Sequence, residues 1–239
     1  MMDSPGVRLE LQTPSEIASA LAARSVVYVP LGTYEWHGQH LPIGLDALTA
    51  HGVCCAAAQR DGGLVCPPLY YGTGGGHGDY PWTIMVESEA LAPLLRTTLA
   101  QLAAFGVRKV VLMSGHFAGE QIDLIQSLAA EAQAEGAGMR VEALAVSMAQ
   151  LDLAPDHAAL FETTLLGALW PERVRLDLLP SLASAPSIDP GGNEMGPQRH
   201  DPSHPLYGIF GPDPRRYDPS RAAGLLDVMV DWVVERVRR

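Results

Sequence analysis

What this chain lacks sets most of its limits. Three cysteines, Cys54, Cys55 and Cys66, are too few for a disulfide framework, and no C-x-x-C pair supplies a zinc knuckle. Cys54 and Cys55 fall in an alanine-rich helical stretch and read as small buried apolar residues, which suits a reducing cytoplasm. Basic charge is scarce: 16 Lys and Arg stand against 27 Asp and Glu, a net charge of −11. Nucleic acid demands a basic footprint and is therefore not an expected partner. No run of about 18 apolar residues exists to cross a membrane. Residues 1–5 show no basic region leading into an apolar stretch, so no secretory leader is expected. There is no internal repeat and no low-complexity tract. At 239 residues, 47% hydrophobic and 18% charged, the chain reads as one globular domain over 1–239 with a sizeable core.

What is present alternates between helix and strand. Thr13-Pro14-Ser15-Glu16 is a helix start, with Thr13 as cap, Pro14 at the first helical position and Glu16 closing a capping box. The pattern predicts a helix to about 24, a buried strand over 25–30 and a small-residue helix over 46–59. A short strand over 64–66 is stopped by Pro67-Pro68. A helix over 88–105 ends at Gly106, and 107–113 is the clearest β-run. A helix over 119–135 and a strand over 140–146 follow. Such βαβ spacing implies a largely parallel sheet covered on both faces, an α/β fold. From Asp177 to Asp218 the pattern fails, and eight of the 19 prolines lie there. A segment this long without periodicity is expected to serve as a lid or subunit contact. A helix over 219–238 closes the chain with a broad apolar face.

Two segments carry chemistry. Glu35-Trp36-His37-Gly38-Gln39-His40-Leu41-Pro42-Ile43-Gly44-Leu45-Asp46 packs two carboxylates and two imidazoles behind an apolar strand. Ser114-Gly115-His116 follows the other strong strand. Ligands of open α/β sheets bind at the carboxyl ends of strands, so the two segments converge if those strands are neighbours. Glu35 and His37, two apart in extended chain, point to the same side. Convergent His, Asp and Glu suit a divalent metal. Asp46 reads either as a helix N-cap or as a carboxylate bridging two metals. His116 reads either as a structural hydrogen-bonder or as a ligand. His157 and Glu162 are five apart, which does not put both on one helical face; locally they read as a capped surface helix. The glycine-rich stretch 70–83 lacks a P-loop ending and reads as a substrate loop carrying His77. His51, His200 and His204 belong to no constellation.

The stretch from Pro30 to Asp46 closely resembles the signature of the creatininase family of amidohydrolases. Ser114-Gly115-His116 resembles its Asn-Gly-His element, and His157-Ala158 to Glu162-Thr163 its His-Ala-x-x-x-Glu-Thr element. His77 with Pro81-Trp82-Thr83 resembles its His-x-x-x-Pro-Gly-Thr segment, and Gly208-Ile209-Phe210-Gly211 also fits. The resemblance spans about 25–235. It implies a three-layer α/β/α sandwich and two divalent metal ions per chain, Zn²⁺, Mn²⁺ or Fe²⁺. Glu35, Asp46 and His116 would hold one ion and His37, Asp46 and Glu162 the other, with Asp46 bridging. His157 matches the histidine proposed to protonate the leaving nitrogen. His77, Trp82 and Phe117 are expected to face a small-molecule substrate.

The departures from that pattern bear on the substrate. Ala118 stands where creatininase has a glutamate proposed to act on the attacking water. Ser114 and Gly119 replace asparagines, and a serine of the glycine-rich loop falls on Gly74. These changes argue against creatinine. The expected activity is hydrolysis of a C–N bond in a small cyclic amide or formamide, by a cytoplasmic homo-oligomer, a hexamer by family resemblance. The rivals are cleavage of a C–C bond in a cyclic ketone and a catalytically silent binder of metal and small ligand.

Overall fold

The computed structural model describes residues 6–134, 136, 138–187, 189 and 196–239. Residues 1–5, on which the reading of the amino terminus rests, lie outside the described residues. So do Glu135 and residues 188 and 190–195 of the proline-rich segment.

The elements run α1 (Pro14–Ala23), β1 (Val26–Leu31), α2 (Leu45–Asp61), β2 (Leu64–Val65), α3 (Ser88–Ala104), β3 (Lys109–Ser114), α4 (Gly119–Ala134), β4 (Arg140–Ala145), α5 (Leu160–Leu169), the single turn α6 (Pro197–His200) and α7 (Pro219–Arg238). At the start of α1 the expected capping box is present, with Glu16 accepting the Thr13 N–H at 2.8 Å. The four strands are all parallel, in the order β2-β1-β3-β4. The strand over 107–113 starts two residues later than expected, at Lys109, because Val107 and Arg108 form the turn out of α3.

Side-chain alternation along the strands divides the core into two layers. Val27, Val29, Leu31, Val110 and Leu112 meet Leu95 and Leu99 of α3 and Ile125 and Leu128 of α4 on one face. Val26, Tyr28, Val111 and Met113 meet α2, α5 and α7 on the other, through Val53, Phe161, Met229 and Val233 among others. This is the expected three-layer sandwich. Both faces are covered, which explains why β1 and β3 read as unbroken apolar runs. Ala50, Cys54 and Ala57 let α2 approach closely, and Cys54 and Cys55 are buried free thiols, as their small size suggested.

Among its described residues the proline-rich segment holds only short helical turns, α6 and a 3-10 turn over 214–216 among them. Arg215 organises part of it. Its guanidinium pairs with Asp213 at 2.6 Å and donates to the carbonyls of Pro180 and Ala185, both at 2.8 Å. Burial raises the Asp213 pKa, but hydrogen bonds from Arg215 outweigh it and hold the carboxyl below its ordinary range. A depressed folded pKa gives stability that is present above the unfolded value and lost as pH falls through the folded one. Asp213→Asn should therefore destabilise the protein at pH 7 but progressively less toward pH 3. Urea melts at the two pH values check this; an equal deficit at both would remove the ion pair from the account.

Candidate metal centre

The strand register builds the site. Leu31 pairs with Ser114, so the segments after β1 and β3 leave the sheet at the same edge. The strand order turns in opposite directions from β1 and β3, which makes their shared edge the switch point of the sheet. Two glycines then admit the first turn of α2. A Cβ at Gly32 would lie 2.0 Å from the Ala47 nitrogen, and one at Gly115 would lie 1.9 Å from the Asp46 carbonyl oxygen. Asp46 is thus wedged between the strand ends. It is the second residue of α2, and Gly44 occupies the N-cap position, so the capping alternative for Asp46 fails. Gly115→Ala must push backbone aside. Overpacking of about 1–3 kcal/mol is expected, a fall in Tm of roughly 2–10 °C for a chain of this size. An unchanged melting curve would show that the approach is not tight.

Five expected ligands come together, all nearly sealed from solvent. His116 Nδ1 lies 2.9 Å from Glu35 Oε2 and 3.2 Å from Asp46 Oδ2. His37 Nε2 lies 3.1 Å from Asp46 Oδ1 and 3.5 Å from Glu162 Oε2. Among the described residues three candidate ligand groups result, Glu35–Asp46–His116, His37–Asp46–Glu162 and Glu35–His37–His157, and Asp46 is common to the first two. The His37 Nδ1–H donates to the Glu35 carbonyl at 2.9 Å, which leaves Nε2 bare toward the carboxylates. That Nε2 and Asp46 Oδ2 are buried without a hydrogen-bond partner. Buried polar atoms are ordinarily satisfied, and a cation would satisfy both of these. The donor set of carboxylates and imidazoles fits Mn²⁺ or Zn²⁺. His40, from the same segment, does not join them; it turns to Thr163 of α5, with Nε2 3.2 Å from Oγ1.

The placement of His157 and Glu162 depends on the residue between them. Ala158 has φ of +55°, left-handed backbone that a non-glycine residue seldom adopts. The chain reverses there, so His157 precedes the bend and Glu162 follows it in the first turn of α5. Glu162 Oε2 accepts the Ala158 N–H at 2.5 Å. Asp156 accepts the N–H groups of Phe161 at 2.7 Å and Glu162 at 3.3 Å, capping α5. His157 Nε2–H donates to the Trp36 carbonyl at 2.9 Å, and its Nδ1 lies 3.9 Å from Glu35 Oε1. The local reading of a surface helix is thereby corrected: Phe161, Glu162 and Thr163 are all buried.

Crowding shapes the charges of this centre. Burial disfavours the His37 cation, but Asp46 and Glu162 push its pKa up to about 10. Burial raises Glu35, while His157, His116 and His77 hold it well below the usual carboxylate range. Glu162 is driven well above that range by burial and by the Asp46 and Asp156 carboxylates, against His37. Burial drops His157 to about 3, so its ring is neutral.

The centre forms the floor of a cavity of about 580 Å³. His77 and Phe117 line it, together with Phe210, Pro212 and Arg199. The ring of His77 hydrogen-bonds Glu35 through Nδ1 and sits 4.5 Å from that of His157. Trp82 does not line it. At φ of +62° that residue swings outward, 82% exposed, while Thr83 turns in and accepts the Trp36 N–H at 3.0 Å. Ala118 lines the cavity, but Glu120 faces a separate one beside Ser88, Asp123 and Ser127. Its carboxylate accepts the Gly75 N–H at 3.3 Å. Glu120→Gln keeps an acceptor there and alters only a first-turn charge worth about 0.3–1 kcal/mol. It should leave kcat within about threefold; a hundredfold loss with metal retained would make Glu120 the missing base.

The family model described as creatinine amidohydrolase matches residues 10–237. The chain belongs to the creatininase family. Among its creatininase-family relatives is the creatinine amidohydrolase of Pseudomonas putida, 29% identical over 83% of this chain and 78% of that one. The mycofactocin precursor peptide peptidase of Mycobacterium ulcerans (strain Agy99) is also 29% identical, over 89% and 84% of the two chains. A manganese form of creatininase superposes with a TM-score of 0.77 at 26% identity, covering 97% of each chain. A Glu-to-Gln variant of creatininase, of Zn-Zn type, superposes at 0.75 with 25% identity and 96% of each chain. This creatininase-family protein is a metal-dependent hydrolase acting on C–N amide bonds.

Proposed function

We propose that the enzyme hydrolyses the C–N bond of a small cyclic amide or formamide with two divalent ions per chain. The observation that carries this is the pair of ligand triads sharing Asp46 on the floor of a confined cavity, with the His157 ring above Glu35. Glu35, Asp46 and His116 would hold one ion and His37, Asp46 and Glu162 the other; when bound, the pair supplies carbonyl polarisation and a nucleophile from water. The protein does the rest. The bond from His37 to the Glu35 carbonyl fixes the tautomer that a ligand needs. The bond from His157 to the Trp36 carbonyl occupies Nε2–H, so Nδ1 is the atom that takes up a proton and hands it to the leaving nitrogen. Phe117, Phe210 and Pro212 exclude water from one side of the cavity. Ala118 stands in place of a carboxylate and Glu120 is turned away, and with both ions bound no separate carboxylate base would be needed.

Cleavage of a peptide precursor is the second reading, favoured by the peptidase relative. Turnover of a panel of lactams, formamides and short peptides with Mn²⁺ or Zn²⁺, and its loss to a chelator, decides between them. Hydrolysis of peptides alone would overturn the small-amide reading, and no turnover of any member would return the silent-binder reading. Cyclic-ketone cleavage has no comparable support, since the relatives that span most of the chain are an amidohydrolase and a peptidase. We further propose a cytoplasmic homo-oligomer, a hexamer. Free thiols suit a reducing compartment. Exposed Tyr71 and Ile84 lie near Tyr34 and, with exposed Trp82, offer apolar surface to a second copy. Among the described residues no helix is long and apolar enough to cross a membrane.

A further inference from the structure

One cation stands in the wall of the cavity. Arg199 lines it and is only 7% exposed. It belongs to the proline-rich segment, where no motif marks it. Asp189 fixes one edge of the guanidinium: Nε donates to Oδ1 at 2.7 Å and Nη2 to Oδ2 at 3.0 Å. Phe210 covers one face, 4.6 Å from the ring centroid to Cζ. Tyr80 donates its hydroxyl to the Arg199 carbonyl and holds the backbone. The group is therefore rigid before any ligand arrives, which lowers the entropy cost of binding.

A guanidinium carries five N–H donors and two edges that can engage a carboxylate in parallel. Asp189 uses the Nε/Nη2 edge. Among the described residues no acceptor meets Nη1, so the Nη1/Nη2 edge is unused. No Arg199 nitrogen is a sealed, unpartnered donor, so this edge is open to a ligand that enters the cavity. The small exposed fraction of Arg199 meets this cavity. The other acid in that wall, Asp156, is engaged by the N–H groups at the start of α5. Phe210 also contacts His157, at 5.1 Å between rings. One aromatic ring thus separates the cation from the proton-transferring histidine.

We propose that Arg199 is the anchor for a carboxylate on the substrate. The substrate class narrows to amides that carry a carboxylate a few bonds from the scissile C–N bond, such as N-formyl amino acids or carboxylated lactams. This rests on the amide-hydrolase reading above. The free edge would bind the carboxylate end-on, while Asp189 keeps the fork in place. Lysine offers a point charge without the fork and should substitute poorly.

The test is binding, measured on the manganese-loaded enzyme by calorimetry with benzoate, benzyl alcohol and phenyl phosphate as probes. Benzoate should bind at least tenfold more tightly than benzyl alcohol. Arg199→Met should erase that preference, and Arg199→Lys should retain only part of it, with manganese content unchanged in both. A crystal structure of the wild-type enzyme with benzoate should place the carboxylate within hydrogen-bond distance of Nη1, and this arm stands even if the variants fail to fold. Benzoate found only on the metal ions, equal binding of benzoate and benzyl alcohol, or tighter binding of phenyl phosphate would each overturn the assignment. The enzymatic arm compares N-formyl-phenylalanine with its methyl ester. A tenfold preference for the acid in kcat/KM, carried by KM and lost in Arg199→Met, supports the anchor. Benzoate held by Arg199 without hydrolysis of any amide would sink the hydrolytic reading and leave the anchor standing. Turnover indifferent to the carboxylate would do the reverse.

Discussion

Asp46→Ala is expected to empty both halves of the metal centre at once. Asp46 is the one residue common to the two triads, with Oδ1 near His37 and Oδ2 near His116. Removing it also leaves two imidazoles and two carboxylates facing one another without their shared partner. Metal analysis after saturation should fall from roughly two ions per chain to almost none, and turnover should drop below detection. The fold should survive, because Asp46 makes no cap and the approach of α2 to the sheet depends on Gly32 and Gly115. Far-UV circular dichroism checks that point. A variant that keeps one tightly bound ion would show that Asp46 serves a single site, and the bridging arrangement would have to be abandoned.

His157→Ala should behave in the opposite way, retaining metal while losing chemistry. Its Nε2–H is taken by the Trp36 carbonyl, and its Nδ1 lies 3.9 Å from Glu35 Oε1, near enough to Glu35 and His37 to join a ligand group but outside the two triads that share Asp46. Removal of a positioned general acid costs roughly 10²–10⁴ in kcat. Because Phe117, Phe210 and Arg199 still line the cavity, KM should change much less. Loss of an ion in this variant would instead make His157 a ligand, an outcome its 3.9 Å separation from Glu35 would then have concealed.

How much of this was legible beforehand depended on contiguity. Glu35, His37 and Asp46 lie within twelve residues, and His116 follows a glycine at the end of an apolar strand, so strand-end logic alone brought them together. Parallel topology followed from βαβ spacing and the unbroken apolar runs of β1 and β3. His157 and Glu162 resisted local reasoning because a left-handed alanine leaves no trace in composition or periodicity; only the resemblance to the creatininase pattern paired them. Trp82 was misplaced for a related reason, since its own positive φ turns it away from the cavity. Arg199 and Asp189 were invisible, because an ion pair folded out of a patternless segment has no sequence period to betray it.

The five candidate ligands span residues 35–162 and come from the segments after β1 and β3 and from the first turns of α2 and α5. Ion capture consequently acts as a reversible cross-link between segments that are remote in sequence. Anything that binds only the native state adds RT ln(1 + [L]/Kd) to its stability, about 2.7 kcal/mol when free metal is a hundred times Kd. For a chain of this size that amounts to roughly 5–10 °C in Tm. Metal supply would thereby bear on how long each molecule escapes unfolding as well as on its catalytic rate.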